Sequence, residues 1–245
     1  MEVLPKLVYH YEEPYADSSA LPTYYLAQMT RQHVTVALNG DGGDENFAGY
    51  PWYGLMKRDA VYRRLPLILR QTNYAMLAML YRCFHTKLFR YGEVFAEGAL
   101  NPASEVHAEL LSYFSKREKT LLCSKAFQEK TKQWPSHGML EVYYKEANTH
   151  NPVHRAMFTD INTYLADDLN VKVDIAAMAH SLEARSPFLD HEFMELVAQM
   201  PSSLKWRGGS GKYLLKRALR KRLPKEILYR RKKGFGVPIG RWFGG

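Results

Sequence analysis

Apolar positions recur with a helical period over most of this chain. Between Asp17 and His33, Leu21, Tyr24, Tyr25, Ala27, Gln28 and Met29 fall at roughly 3.6-residue spacing. This predicts a helix capped by Asp17, Ser18 or Ser19, with Pro22 tolerated in its first turn. The next segment, V-T-V-A-L at 34–38, breaks the period: its apolar and β-branched run predicts a buried strand, the one convincing strand of the sequence. Residues 54–150 return to long amphipathic stretches separated by polar turns and predict helices. The helical reading continues from 151 through the segment that ends near Met200, broken at Pro187, and again from Gly211 to Leu223. The expected fold is α/β but predominantly helical, with a strand short of sheet partners and no internal repeat.

The strand runs into N-G-D-G-G-D-E, residues 39–45. Gly40, Gly42 and Gly43 let backbone N–H groups converge on an anion, and Asp41, Asp44 and Glu45 bring hard oxygens suited to Mg²⁺. Carboxylates and phosphate repel unless a divalent ion lies between them, so the combination points to a Mg²⁺-nucleotide site. The plainer alternative is a solvated turn in which Asp and Gly satisfy positive φ. An EF-hand is excluded, because the alternating oxygen ligands and the terminal Glu are missing.

Two further constellations stand out. In S-L-E-A-R-S-P-F-L-D-H-E-F, residues 181–193, Glu183, Arg185, Asp190, His191 and Glu192 surround an apolar pair, which would leave an Arg and carboxylates at a helix end. Asp167, Asp168 and Asp174 upstream suit capping. Gly208, Gly209 and Gly211 precede Lys212 at the start of an amphipathic helix, where a lysine and a positive helix end would meet. It is not a Walker A loop, since Tyr213 takes the Ser/Thr position.

Net charge is +9, and its placement matters more than its size. Residues 201–245 hold 14 Lys or Arg against the single acid Glu226, which leaves the first 200 residues at −4. The basic tail, with Arg230, Arg231, Lys232 and Lys233 beside Phe235 and Trp242, suits nucleic acid, a phosphate-bearing ligand or an acidic partner. At 245 residues and 46% hydrophobic, the chain can bury a full core. Cys83 and Cys123 belong to no metal-spaced cluster and read as reduced thiols. No apolar run is long enough to span a membrane and no signal-peptide pattern opens the chain, so a cytoplasmic location is expected.

In order along the chain, E-E-P-Y-A-D-S-S-A-L-P-T-Y-Y-L, V-T-V-A-L-N-G-D-G-G-D-E-N-F-A-G-Y, M-A-H-S-L-E-A-R-S-P-F-L-D-H-E-F, G-S-G-K-Y-L-L-K-R-A-L and K-K-G-F-G-V-P-I-G-R-W-F resemble the synthetase domain of glutamine-hydrolysing asparagine synthetases. The resemblance implies that residues 1–245 are a partial adenine-nucleotide alpha-hydrolase-like domain of the ATP-pyrophosphatase type, with an incomplete parallel sheet. It implies ATP and Mg²⁺ as cofactors. ATP and aspartate would give β-aspartyl-AMP and pyrophosphate, and glutamine-derived ammonia would displace AMP to give asparagine. On matching positions, Asn39 and Gly40 would meet the nucleotide together with Gly42 and Gly43 of the same turn, and Asp44 would bind Mg²⁺. Asp41 would lie near the reacting centre, and Lys212 would neutralise phosphoryl charge as pyrophosphate leaves. Glu183 and Arg185 would border the substrate. The family more often has Ser at the place of Asn39 and Arg at the place of Ile175.

The sequence begins Met-Glu rather than Met-Cys, has no glutaminase domain and lacks the S-G-G-x-D-S pyrophosphate loop that the family carries before this strand. The first strands of the sheet go with it. The expectation is a fragment of a synthetase domain, inactive or nearly so alone, because positioning and electrostatics carry such catalysis. A missing N-terminal half or a homodimer partner would complete it. Two competing readings are a relative that adenylates another carboxylate and a basic nucleic-acid-binding module. The latter ranks last, because the tail's lysines match the family one by one. No membrane partner is expected.

Overall fold

The computed structural model describes residues 2–135, 137–230 and 234–243. In chain order come α1 (Leu4–Tyr11), α2 (Ala20–Arg31), β1 (Val36–Leu38) and the one-turn α3 (Gly43–Asn46). Eight helices follow: α4 (Pro51–Tyr62), α5 (Leu67–Phe84), α6 (Lys87–Gly98), α7 (Ala103–Leu111), α8 (Lys116–Leu122), α9 (Lys125–Thr131), α10 (Gly138–Glu146) and α11 (Pro152–Asp160). A π-helical stretch (Ile161–Asn170) leads into α12 (Val171–Met178), then β2 (Glu183–Arg185), a 3₁₀ turn (Pro187–Leu189), α13 (His191–Ala198), α14 (Ser202–Lys205), α15 (Tyr213–Leu219), α16 (Lys225–Leu228) and α17 (Ile239–Phe243). The helical reading of 54–150 holds.

Two compact units divide these elements. The first takes residues 1–47, 161–205 and 212–245 and contains a two-stranded parallel sheet. Val36 lies opposite Glu183, Ala37 opposite Ala184 and Leu38 opposite Arg185. Ala37 and Ala184 pack on Ala27 of α2 and on Ala177 and Leu182, so one face of the sheet is covered. Side chains alternate across a strand, so Val34, Val36 and Leu38 take the other face, where they are 44%, 41% and 73% exposed. The expectation of a buried strand is thereby corrected: the described residues supply no layer over that face.

The helical reading of 181–186 is corrected as well. α12 stops at Met178, Ser181 turns back with φ 56°, and Glu183–Arg185 joins β1. Glu, Ala and Arg all favour helix, but that preference amounts to tenths of a kcal/mol per residue and yields to a parallel ladder. Elsewhere in this unit Leu7 and Tyr11 of α1 pack with Ala20, Tyr24 and Ala176, and Ile175 joins the same apolar cluster.

A polar network crosses this core. The Tyr11 hydroxyl donates to the Lys172 carbonyl (3.0 Å), and Tyr15, stacked on Tyr11 at 4.4 Å, donates to the Asp168 carboxylate. Lys172 Nζ meets Asp17 Oδ2 at 2.7 Å. Burial, with the negative charges of Asp17 and Asp168, pushes the Tyr11 phenol up to about 12. Burial and the bond to Asp168 raise Tyr15 further still. Both phenols therefore stay protonated and donate. Asp17 serves this network rather than a helix cap: it accepts from Ser19 N and Oγ at 2.8 Å, and Ser19 is the cap residue.

The second unit comprises residues 48–160 and 206–211. α4 packs on α7 and α11, and α5 on α6. Gly54 is required by close approach, since a Cβ there would stand 2.3 Å from the Trp206 ring. At its centre the wholly buried Asp160 accepts from Trp52 Nε1 and lies beside His107 Nε2, each at 2.9 Å.

Candidate functional site

The glycine-rich turn begins where β1 ends, at the carboxyl edge of the parallel pair, the usual place for ligands in α/β sheets. Asn39 N donates to Arg185 O (2.9 Å), tying the turn to β2. Asn39 Oδ1 accepts from Asp41 N (3.3 Å), an Asx turn, and Gly43 N donates to Gly40 O (3.2 Å). Gly42 has φ 78°, and a Cβ there would lie 2.3 Å from Leu189 Cδ2. One at Gly43 would lie 3.4 Å from the Phe188 ring, whereas one at Gly40 would meet nothing within 4 Å. Gly42 and Gly43 therefore seat the turn on the Pro187–Leu189 segment, and Gly40 keeps its backbone open to approach. Ser186 Oγ donates to Asp41 O (2.5 Å) and Asn46 Nδ2 to Phe188 O (2.8 Å). Below, the rings of Phe47, Phe188 and Phe193 contact one another at centroid distances of 5.8 to 6.2 Å.

The three carboxylates part company. Glu45 is 1% exposed and turned inward, so it is withdrawn from any surface ligand; Asp41 and Asp44 remain partly accessible. Lys212 Nζ stands 3.1 Å from Asp44 Oδ1, both side chains keeping some exposure. Lys212 is itself held, with φ 56° and its N–H donating to Phe47 O (2.8 Å). Burial, with Lys212 close by, pushes the Lys216 ammonium down, and Asp44 opposes this. Two cations thus gather around Asp44. Burial pushes the Asp41 carboxyl above its usual range; Lys172 counters the rise and Asp44 adds to it.

Beside the turn is a cleft of about 420 Å³ whose walls include Asn39, Asp41, Asn170, Asp174, Ser186 and Leu189. Two carboxylates, a lysine and the open backbone at Gly40 are a donor set that fits a divalent cation carrying phosphate. No group of three or more His, Cys, Asp or Glu gathers as a metal cluster among the described residues. Asp41 and Asp44 are too few for a bare cation, and a phosphate would have to supply the remaining oxygens.

The structure brings Asn39, Gly40, Asp41, Gly42, Gly43, Asp44 and Lys212 together. It does not bring the side chains of Glu183 and Arg185 to them. Those two pair with each other at 2.7 Å on the open sheet face, opposite Ala184. Gly208 and Gly209 form a reverse turn between Arg207 and Ser210. Arg231, Lys232 and Lys233 of the basic stretch lie outside the described residues. Sequence reasoning passed over Lys172 and Ser186. A lysine inside the apolar run V-K-V-D-I-A-A-M was the available signal for Lys172, but its partner Asp17 is too distant in sequence to be inferred.

The family model described as asparagine synthase matches residues 1–245. The chain belongs to the asparagine synthase family. Asparagine synthetase 1 (glutamine-hydrolyzing) of Bacillus subtilis is 31% identical over 242 residues, which are 99% of this chain and 37% of that protein. A putative asparagine synthetase (glutamine-hydrolyzing) of Mycobacterium tuberculosis is 31% identical over 239 residues, 98% of this chain and 35% of that protein. A protein of Gibberella zeae named amidase chry2 is 25% identical over 96% of this chain and 37% of its own length. The chain thus spans little more than a third of the length of these family members. No solved structure matches it. Among the described residues no helix is long and apolar enough to cross a membrane.

Proposed function

We propose that the 39–44 turn and Lys212 bind the phosphates of Mg²⁺-ATP, in an adenine-nucleotide alpha-hydrolase-like domain that adenylates the side-chain carboxylate of aspartate for amidation by glutamine-derived ammonia. The observation that carries this reading is the 3.1 Å approach of Lys212 to Asp44, two residues far apart in sequence, at the carboxyl end of a parallel strand. Bound Mg²⁺-ATP supplies an electrophilic phosphoryl group with its charge partly neutralised. Asp44 offers the cation a hard oxygen, and Lys212 offers a point charge where pyrophosphate would depart. Asn39 and Gly40 present the strand end and unobstructed backbone to the nucleotide. Gly42 and Gly43 fix the curvature of the turn. Asp41, half-buried and biased toward its protonated form, borders the reacting centre. The S-G-G-x-D-S loop the reaction also needs is absent from these 245 residues and would come from elsewhere.

Calorimetric titration with Mg²⁺-ATP tests this. Asp44→Asn and Lys212→Ala should each weaken binding by about 10-fold or more, in line with charge-assisted contacts of 1.5–3 kcal/mol. Affinity should rise with pH above the ordinary carboxylate range as Asp41 ionises, and Asp41→Asn should flatten that rise. Unchanged affinity in Asp44→Asn and Lys212→Ala would refute the assignment. A second reading, a family member that activates a different carboxylate, draws on the likeness to amidase chry2. Both share the nucleotide site and differ only in the acceptor that stimulates pyrophosphate release.

A further inference from the structure

α5, in the second unit, turns an apolar side outward. It has 18 residues and fully buries none of them. Its inner side is settled by its contacts: Asn73 Nδ2 donates to the Tyr62 hydroxyl (2.7 Å), Leu77 closes on Gly92 of α6, and Arg90 of α6 lies 5.4 Å from the centre of the Tyr81 ring. At 100° per residue, Ile68, Leu69, Thr72, Met76, Met79 and Cys83 fall within an arc of about 100° on the outward side. All six are exposed, Ile68 to 71% and Met79 to 66%. No charged residue falls in that arc, and Thr72 donates its hydroxyl to Leu69 O (3.1 Å). Phe84 and Leu88, exposed where α5 gives way to α6, continue the apolar surface.

Charge identifies what this surface meets. Between Ala60 and Gly92 the sequence has six cations, Arg63, Arg64, Arg70, Arg82, Lys87 and Arg90, and no carboxylate. Arg63 pairs with Asp59, Arg90 with Glu93, and Arg70 donates to Ala99 O. Arg64, Arg82 and Lys87 are exposed and enter no salt bridge among the described residues. They stand just before α5, at the margin of its apolar arc and just past its end. We propose that the α5–α6 hairpin lies on an anionic lipid surface, with the outward arc of α5 below the headgroups and Arg64, Arg82 and Lys87 against their phosphates. It lies on the bilayer rather than across it, since no helix among the described residues is long and apolar enough to span one. The expectation of no membrane partner rests on the lack of a spanning run and of a signal peptide, and an interfacial helix needs neither. A second copy fits poorly, because two hairpins face to face would set cations against cations. An acidic protein would match the charge, but a convex uncharged arc bordered by cations is the arrangement of an interfacial helix. The inference uses the second unit alone and goes beyond the nucleotide reading.

The experiment sediments the full chain with vesicles of equal parts phosphatidylglycerol and phosphatidylcholine, and with vesicles of phosphatidylcholine alone. Partitioning onto the anionic vesicles should be about 10-fold or more the stronger, and Met79→Glu, checked for native circular dichroism, should reduce it about 10-fold or more. A polarity-sensitive dye on Cys83, with Cys123→Ser to leave one thiol, should shift its emission to the blue on the anionic vesicles; it reports the arc without a charge added there. The proposal is overturned if the chain stays in solution or if both vesicles bind it equally. It is overturned too if Met79→Glu binds as well as the unaltered chain with no shift of the dye, which would assign the binding to the basic tail. A dye shift with polyglutamate but not with vesicles would make the partner an acidic protein, and a dimer in solution that Met79→Glu breaks would make it a second copy; either result overturns the proposal. Loss of Mg²⁺-ATP binding would leave these results untouched, so the two readings fail separately.

Discussion

Outside the turn, Lys172 acts on two carboxylates. Its side chain is nearly buried against Asp17, and its charge also acts on Asp41. Burial alone would raise the Asp17 carboxyl, but hydrogen bonds from Lys172 and Ser19 and the Lys172 charge hold it below its ordinary value. A carboxyl lowered in the folded state contributes its full stability above the unfolded value of about 3.9 and loses it as pH falls through the lowered one. Lys172→Met should therefore cost about 3 kcal/mol at pH 7 in urea unfolding, and the loss should shrink below about pH 4. Combining it with Asp17→Asn should recover most of the cost, because no buried charge then lacks its partner. A double variant no more stable than Lys172→Met would show that packing, not charge, holds the site.

At the scale of elements, the junction between α12 and β2 is set by a non-glycine residue in left-handed backbone. Ser181 has φ 56° and donates to Met178 O (2.9 Å). Ser181→Gly should raise stability by about 0.5–1 kcal/mol, read as a higher midpoint in thermal unfolding; a lower midpoint would mean that the serine side chain matters more than the backbone. The run V-T-V-A-L announced β1 because β-branched spacing is local information. Which face of β1 is covered was not legible, since Ala177 and Leu182, which join Ala27 of the preceding helix in covering it, lie far away in sequence. β2 was hidden for the opposite reason: Glu183, Ala184 and Arg185 look helical until a partner strand is present. The site shows the same division. Clustered glycines and acids marked the turn, but the inward rotation of Glu45 and the seating of Gly42 on Leu189 follow from tertiary packing. Family resemblance, rather than spacing, linked Lys212 to Asp44.

For the molecule as a whole, binding and turnover should separate. The proposed Mg²⁺-ATP site draws its donors from these 245 residues, which contain no S-G-G-x-D-S loop, so they should bind Mg²⁺-ATP while releasing no aspartate-dependent pyrophosphate on their own. A coupled pyrophosphate assay checks this, and release at a rate near that of intact relatives would show that the loop is dispensable. The +9 charge, concentrated after residue 200, should make ATP affinity fall with added salt, in keeping with screening of surface lysines. The π-helical stretch from Ile161 to Asn170 adds a constraint on chain length. Its turns hold more backbone than α-turns do, so loss of one residue there can be absorbed by tightening, and the scaffold survives. In an α-helix the same loss would turn the following side chains by about 100°; absorbed here, it leaves Asn170 in the wall it shares with Asp41, so the cleft keeps its lining.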